Sequence, residues 1–328
     1  MTDATPENVS PENENLEHEN HPYILILLGP AITAAHQDSI RAILAAHGLV
    51  ITRAEQLTAS LAPTSEPFNA ALEWHLAGTP TDEHTLRANL LAAATELSLD
   101  IALQHDTPHR KGRRLFAFDM DSTLIQGEVI DELAKLAGIG EEVSRITEAA
   151  MRGELNFDQS FTRRVGLLKG LPAKKVNSLL DRIPLSPGAE RLFRTLKARG
   201  YYTAILSGGF TFFAKSLQAR LGIDEFYANE LEIIDGKVTG RVIPPIMNGA
   251  RKAELLAAIA ERESIPLEEA VAVGDGANDL PMMEIAGMGI AYRAKPVVRL
   301  KADHAISNLG LDGLLYLIGL RDHEATQP

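Results

Sequence analysis

A chain of 328 residues, 45% hydrophobic and 23% charged, is long enough for two globular domains. Its net charge of -12 argues against nucleic acid or an anionic membrane as a partner of the whole molecule. The lack of cysteine excludes disulfides, thiolate zinc sites and cysteine nucleophiles. The longest apolar run, Tyr23–Gly29, falls far short of the roughly 20 residues that span a bilayer. With no basic start and apolar middle of a signal peptide, the cytoplasm is the expected location.

In chain order, residues 1–21 are acidic and rich in Glu, Asn and Pro, and read as a disordered tail. From Pro22 to His105 the pattern is βαββαβ. A strand over Tyr23–Leu28 precedes a helix with Ile40, Ile43 and Leu44 on one face. The stretches LVITRAEQL and FNAALEWHLAG read as strands separated by the turn-rich APTSEP. A helix carrying Leu86, Leu90, Leu91 and Leu97 and a last strand, DIALQH, complete the set. Residues 22–105 are thus expected to form a ferredoxin-like domain. Residues 106–112 read as a solvated basic linker rather than a nucleic-acid patch. His105 and His109 are expected to be surface residues, because Pro108 argues against a helix that would align them.

From Arg113 to the end, strands and helices alternate: LFAFD, a helical block over about 128–182, YYTAILSGG, a hairpin turning at Asp235-Gly236, AVAVGDGAND and GMGIAYRA. This predicts an α/β fold with a doubly wound, mainly parallel sheet, whose ligands bind beyond the carboxyl ends of the strands. At one such end sits DMDST, with Asp119 and Asp121 two residues apart. On an extended segment both would point to one side. A calcium loop does not fit, since Leu124 and Ile130 stand where glycine and glutamate are required. Helix capping explains one aspartate but not two. A lone pair of this kind reads most simply as a solvated loop; its company changes that. Ser207 with Gly208 and Gly209 can present a hydroxyl and backbone N–H groups to an oxyanion. Asp275, Asn278 and Asp279 follow another strand, and Lys252 opens a helix.

These four elements, in this order, resemble the motifs of the haloacid-dehalogenase-like (HAD) phosphotransferases: Asp119-Met-Asp121-Ser-Thr123, Ser207, Lys252 and Gly274-Asp275-Gly276-Ala-Asn278-Asp279. The stretch from Asp119 to Leu171 is similar to the phosphoserine phosphatases of that family, and the N-terminal layout to ACT-like domains. The resemblance implies a HAD-like domain over 113–328 with a helical cap over about 128–182. It implies hydrolysis of O-phospho-L-serine, the last step of serine biosynthesis, with Mg2+ as cofactor. Asp119 is then the nucleophile, and Asp121 the general acid and base. Asp119, Asp275 and the backbone carbonyl of Asp121 hold the metal, while Asp279 orients those ligands or Lys252. Ser207, Gly208, Lys252 and Asn278 contact the phosphate. Glu128 takes the substrate ammonium and Arg164 its carboxylate, with Met151 and Phe157 as an apolar wall.

Asp121 must then carry a proton near neutral pH. Raising a carboxyl by about two pH units costs ~2.7 kcal/mol, which points to water exclusion by the cap. For the N-terminal domain the resemblance to ACT-like domains leaves three roles open, binding of serine as a feedback ligand, formation of a homodimer, or neither, and nothing in the residues selects between them. Three alternatives stay open on the residues alone: transfer of the phosphoryl group to another hydroxyl such as that of homoserine, an inert amino-acid-sensing module, and a transition-metal hydrolase, for which there is no histidine cluster.

Overall fold

The computed structural model describes residues 22–59, 69–180 and 182–325, with the side chain of Met151 left aside. The tail expected over 1–21 and the turn expected at 62–67 lie outside the described residues. The chain divides into two compact units between Arg110 and Lys111.

In the first unit, β1 (Tyr23–Gly29), α1 (Ala34–Ala46), β2 (Val50–Gln56), β3 (Ala70–Ala77), α2 (Glu83–Leu97) and β4 (Asp100–His105) follow the expected βαββαβ order. The antiparallel sheet runs β2-β3-β1-β4, the ferredoxin-like arrangement. Alternation along the strands sends Leu25, Leu27, Trp74 and Leu76 into one core with Ile40, Leu44, Leu86 and Leu90 of the helices. The helices start where side chains can accept their free N–H groups. Thr33 accepts from His36 in a capping box, and Asp82 accepts from His84 and Thr85.

The segment expected to be a solvated linker is not wholly so. Pro108 opens a turn of helix, α3 (Pro108–Lys111), where its missing N–H costs nothing, so the proline starts a helix there rather than preventing one. His105 and His109 are exposed, but Arg110 is buried: it donates to Gln104 Oε1 at 3.0 Å and pairs with the buried Glu73. A charge pattern read locally cannot reveal a partner 37 residues away. Glu73 also lies 3.0 Å from His75 Nε2. Burial raises the Glu73 carboxyl, but the bonds from His75 and Arg110 outweigh it and hold the group at about 2, below its ordinary 4.5. A depressed pKa stabilises the fold above the unfolded value and ceases to do so as pH falls toward the folded one. Trp74, the only tryptophan, is fully buried in this unit and reports on it alone. Denaturation followed by Trp74 fluorescence is therefore expected to show a loss of about 3 kcal/mol between pH 5 and pH 2 that Glu73→Gln lacks. Equal pH slopes for the two proteins would refute this assignment.

The second unit is built on a seven-stranded sheet of β5 (Leu115–Phe118), β6 (Tyr202–Phe210), β7 (Glu225–Ile234), β8 (Lys237–Ile243), β9 (Ala270–Gly274), β10 (Met288–Tyr292) and β11 (His304–Ile306). The order is β11-β10-β9-β5-β6-β7-β8, parallel throughout except for the β7–β8 hairpin. That hairpin turns at Asp235 and Gly236, both with positive φ, as a two-residue turn of matching twist requires. Helices α4 (Val129–Ala137), α5 (Gly140–Met151), α6 (Phe157–Leu167) and α7 (Ala173–Asn177) form the insert after β5. Then α8 (Ala189–Ala198) and α9 (Thr211–Leu221) flank β6, and α10 (Gly249–Arg262) and α11 (Leu280–Ile285) flank β9. Every residue of β5 is fully buried. Leu115 and Ala117 pack with Leu255, Leu256 and Ile259 of α10, while Phe118 meets Phe193 of α8 at 4.9 Å on the other face. The insert is tied to the hairpin by backbone bonds: Gly170 N–H to Val238 O, Val238 N–H to Leu171 O and Ala173 N–H to Gly236 O, at 2.8–2.9 Å.

Candidate active site

Strand β5 comes first in its unit yet lies mid-sheet, with β6 on one side and β9 on the other. The connections diverge there, leaving a crevice at the carboxyl ends of these three strands. Asp119 follows β5, Ser207 and Gly208 lie near the end of β6, and Asp275 follows β9.

The paired aspartates reach the crevice by a route other than extended alternation. The strand ends at Phe118, and Asp119 N–H makes one more ladder bond, to Val273 O at 2.8 Å. The chain then turns tightly: Ser122 has φ +56°, and Leu124 N–H returns to Met120 O at 2.9 Å. This turn carries Asp121 to the start of α4, where Oδ1 accepts the Val129 N–H at 2.9 Å. The capping role thus falls to Asp121 in part. Burial first, then the charges of Glu128 and Asp119, push its carboxyl well above the ordinary carboxylate range.

Lys252, in the first turns of α10, is wholly buried, with Nζ 2.8 Å from Asp119 Oδ1 and 2.6 Å from Asp279 Oδ1. Burial disfavours its charge, but the two carboxylates outweigh that and raise its pKa. Asp279 Oδ2 accepts the Gly276 N–H at 2.9 Å, so this residue joins the lysine to the loop after β9. Burial, then the charge of Asp119, raises Asp279 to about 6 despite the lysine. Asp275, half-buried, is raised to about 8 by burial and by the carboxylates of Asp119, Asp279 and Glu128. Carboxylate oxygens of Asp119, Asp275 and Asp279 lie within 4.8 Å of one another. Three hard oxygen donors with no histidine or thiolate suit Mg2+.

On the β6 side the ladder with β7 is regular to Leu206↔Tyr227 and resumes at Phe210↔Asn229, so Ser207–Gly209 bulge from the sheet. Ser207 Oγ accepts the Gly209 N–H at 2.9 Å. A Cβ on Gly209 would sit 2.4 Å from Asp121 Oδ2, and one on Gly208 would sit 2.9 Å from the ring of Phe157. Asp121 and the insert can approach this turn only because glycine stands at both positions.

From the insert, Glu128 accepts from Ser122 Oγ at 3.0 Å, and its carboxyl is raised first by burial and then by Asp119. Arg164, on α6, is half-buried, and its Nε is buried without a partner among the described residues. Burial lowers its pKa, against the opposing charges of Glu128, Asp131 and Asp121. Phe157 stacks on Phe161 at 5.8 Å. Asn278 occupies the loop with Asp275 and Asp279, its Oδ1 over Gly276. Five carboxylates (Asp119, Asp121, Glu128, Asp275, Asp279) thus face two cations, Lys252 and Arg164. A divalent cation and a substrate bearing an ammonium would both find complementary charge.

Two residues of the site escaped the sequence reading. Asn229, on β7, donates to Gly208 O at 2.7 Å and accepts from Met247 N–H at 2.8 Å. Asn248 caps α10 and also donates to Asp158 of the insert at 3.2 Å. The asparagine before AELLAAIA is a legible cap signal; a single asparagine inside a strand carries none.

The sequence model of the haloacid dehalogenase-like hydrolases matches residues 116–284. A phosphoserine phosphatase of Streptomyces coelicolor is 44% identical over 301 residues, covering 92% of this chain and 71% of its own. The crystal structure of a HAD-family hydrolase from Salmonella enterica serovar Typhi aligns with a TM-score of 0.79 at 36% identity, over 90% of this chain and 99% of that one. A phosphoserine phosphatase solved as an analogue of its phospho-aspartyl intermediate aligns with a TM-score of 0.59 at 46% identity, over 62% of this chain and 98% of its own.

Proposed function

The chain belongs to the haloacid dehalogenase-like hydrolases, and from that membership we propose that it is a phosphoserine phosphatase, hydrolysing O-phospho-L-serine to L-serine and phosphate. The observation that carries this reading is the buried lysine shared by Asp119 and Asp279 at the crevice where Ser207 and Asp275 also meet. The 44% identity to the Streptomyces coelicolor phosphoserine phosphatase over nearly the whole chain supports the substrate.

In this reading Asp119 supplies the nucleophile. One carboxylate oxygen attacks phosphorus, the bond from phosphorus to the serine oxygen breaks, and Asp121 delivers its proton to that leaving oxygen. Water then attacks the phosphoaspartyl group. Asp121 takes the proton from the water, the bond from phosphorus to the Asp119 oxygen breaks, and phosphate leaves. The position of Asp121, between the Val129 N–H and Gly209, keeps it in the low-dielectric surroundings that hold such a proton. Lys252 offsets charge on the phosphate oxygens, and the Ser207 hydroxyl and Gly208 N–H donate to them. Asp119, Asp275 and the carbonyl of Asp121 would hold Mg2+, which would neutralise charge on the phosphate, with Asp279 orienting the lysine. Asn278 is placed to contact the same phosphate. Glu128 receives the substrate ammonium, and Arg164 its carboxylate.

The test is a panel of phosphate esters with Mg2+ added and then chelated, run on the wild type and on Arg164→Ala. The wild type is expected to prefer O-phospho-L-serine and to lose activity on chelation. The variant is expected to lose at least about 100-fold in kcat/KM on phosphoserine and under tenfold on a small aryl phosphate, since only the former presents a carboxylate. Equal losses on both esters would remove the arginine from substrate recognition, and absence of phosphate release from phosphoserine would refute the reading as a whole.

A further inference from the structure

We propose that Asn229 is a positioning residue that fixes the phosphate-holding turn of β6 against the lysine-bearing helix α10; the inference rests on the phosphatase reading given above. Five residues of β6, from Leu206 to Phe210, stand opposite three of β7, from Tyr227 to Asn229. The bulge that brings Ser207 and Gly208 into the crevice therefore also strips their backbone of strand partners. The Gly208 carbonyl is the critical group. Left unpaired, it would add a negative dipole end to the place where an anion must bind.

Asn229 removes that conflict. It is fully buried, and its Nδ2 takes the Gly208 carbonyl at 2.7 Å. The other end of the same peptide, the Gly209 N–H, goes to Ser207 Oγ at 2.9 Å. The plane of the 208–209 peptide is thus pinned from both sides. Because Ser207 Oγ accepts there, its own hydrogen is left to donate outward, which a phosphate oxygen needs. The second arm of the amide reaches across the site. Oδ1 accepts the Met247 N–H at 2.8 Å, and the next residue, Asn248, caps α10 by accepting from Arg251 N–H at 3.1 Å. Lys252 follows within the first turns of that helix, bonded to Asp279 at 2.6 Å. The two partners also fix which way the amide lies: the carbonyl needs a donor and the N–H an acceptor, so each arm has one possible identity. A single side chain therefore sets the spacing between the hydroxyl and amide donors on one side of the phosphate and the ammonium on the other.

Asn229→Ser removes the amide donor to Gly208 O without burying a charge; Asn229→Ala serves as the alternative should that variant not fold. With the full-length, Mg2+-loaded protein, kcat is expected to fall about 10- to 100-fold with KM within about threefold, since donors displaced by a fraction of an ångström stabilise the transition state less than the ground state. Inhibition by orthovanadate, which mimics the transferring phosphoryl group once a nucleophile adds to make it five-coordinate, is expected to weaken at least about tenfold, while the melting temperature stays within a few degrees. A folded variant with kcat and vanadate inhibition within threefold of wild type would overturn the proposal. So would a fall in kcat with unchanged vanadate inhibition, or one matched by the loss of folded protein, since a purely structural role predicts these. The measurements are made on an aryl phosphate as well as on phosphoserine. A wild type inactive on phosphoserine but active on the aryl ester would count against the substrate assignment alone, leaving the role of Asn229 to be read on the other ester.

Discussion

Asp119→Asn is expected to lower phosphate release from O-phospho-L-serine by at least about 10^4-fold while leaving the fold intact. The substitution keeps shape and replaces the oxygen proposed as the nucleophile with an amide. It should not destabilise the metal-free protein. Asp119 is among the groups that push Asp121, Asp275 and Asp279 upward, so neutralising it relieves repulsion at three carboxyls. Lys252 keeps Asp279 as a partner at 2.6 Å. In chelator, the melting temperature of the variant should therefore equal or exceed that of the wild type. Near-normal turnover by this variant would sink the covalent mechanism. Inactivity accompanied by a lower melting temperature would mean that activity was lost with the structure.

Lys252→Met should be costly on both counts. The side chain is wholly buried and is shared by two carboxylates. Its removal leaves buried negative charge without compensation, at about 3–5 kcal/mol in the absence of metal. Turnover should fall by at least about 10^3-fold, because charge growing on the phosphate oxygens loses the buried ammonium proposed to offset it. The double variant Lys252→Met/Asp279→Asn separates the two losses: chemical denaturation should show much of the stability restored, whereas activity should stay low. A single variant as stable as the wild type would show that the fold does not depend on the ammonium between Asp119 and Asp279.

The contrast between Lys252 and Asn229 shows what the sequence could and could not disclose. Asp119, Ser207, Lys252 and Asp275 each stand at a strand end or helix start that hydrophobic patterning locates, and their order completes a known set of motifs. Patterning is also enough for the ferredoxin-like unit, because its first strand is a short apolar run and its helices repeat Ile40, Ile43, Leu44 and Leu86, Leu90, Leu97 at helical spacing. It failed where a partner lies far off in sequence. Asn229 serves turns 21 and 18 residues away, and Arg110 finds Glu73 across 37 residues. Nothing local to either residue encodes that pairing. The route of Asp121 was misread for a related reason: alternation shows that a strand exists but not whether it ends at residue 118 or continues to 121, and those endings aim the side chain by different means.

The backbone bonds between residues 170–173 and the outer hairpin have a bearing on colloidal behaviour. A β-sheet boundary with bare N–H and C=O groups templates growth by foreign chains. On one flank the helical insert occupies part of that row on β8; on the other, β11 is only three residues long. The segment that carries Glu128 and Arg164 thus also covers part of the sheet boundary, so excising it to obtain a minimal catalyst is expected to yield a protein that precipitates at concentrations where the full chain stays in solution, as light scattering would show.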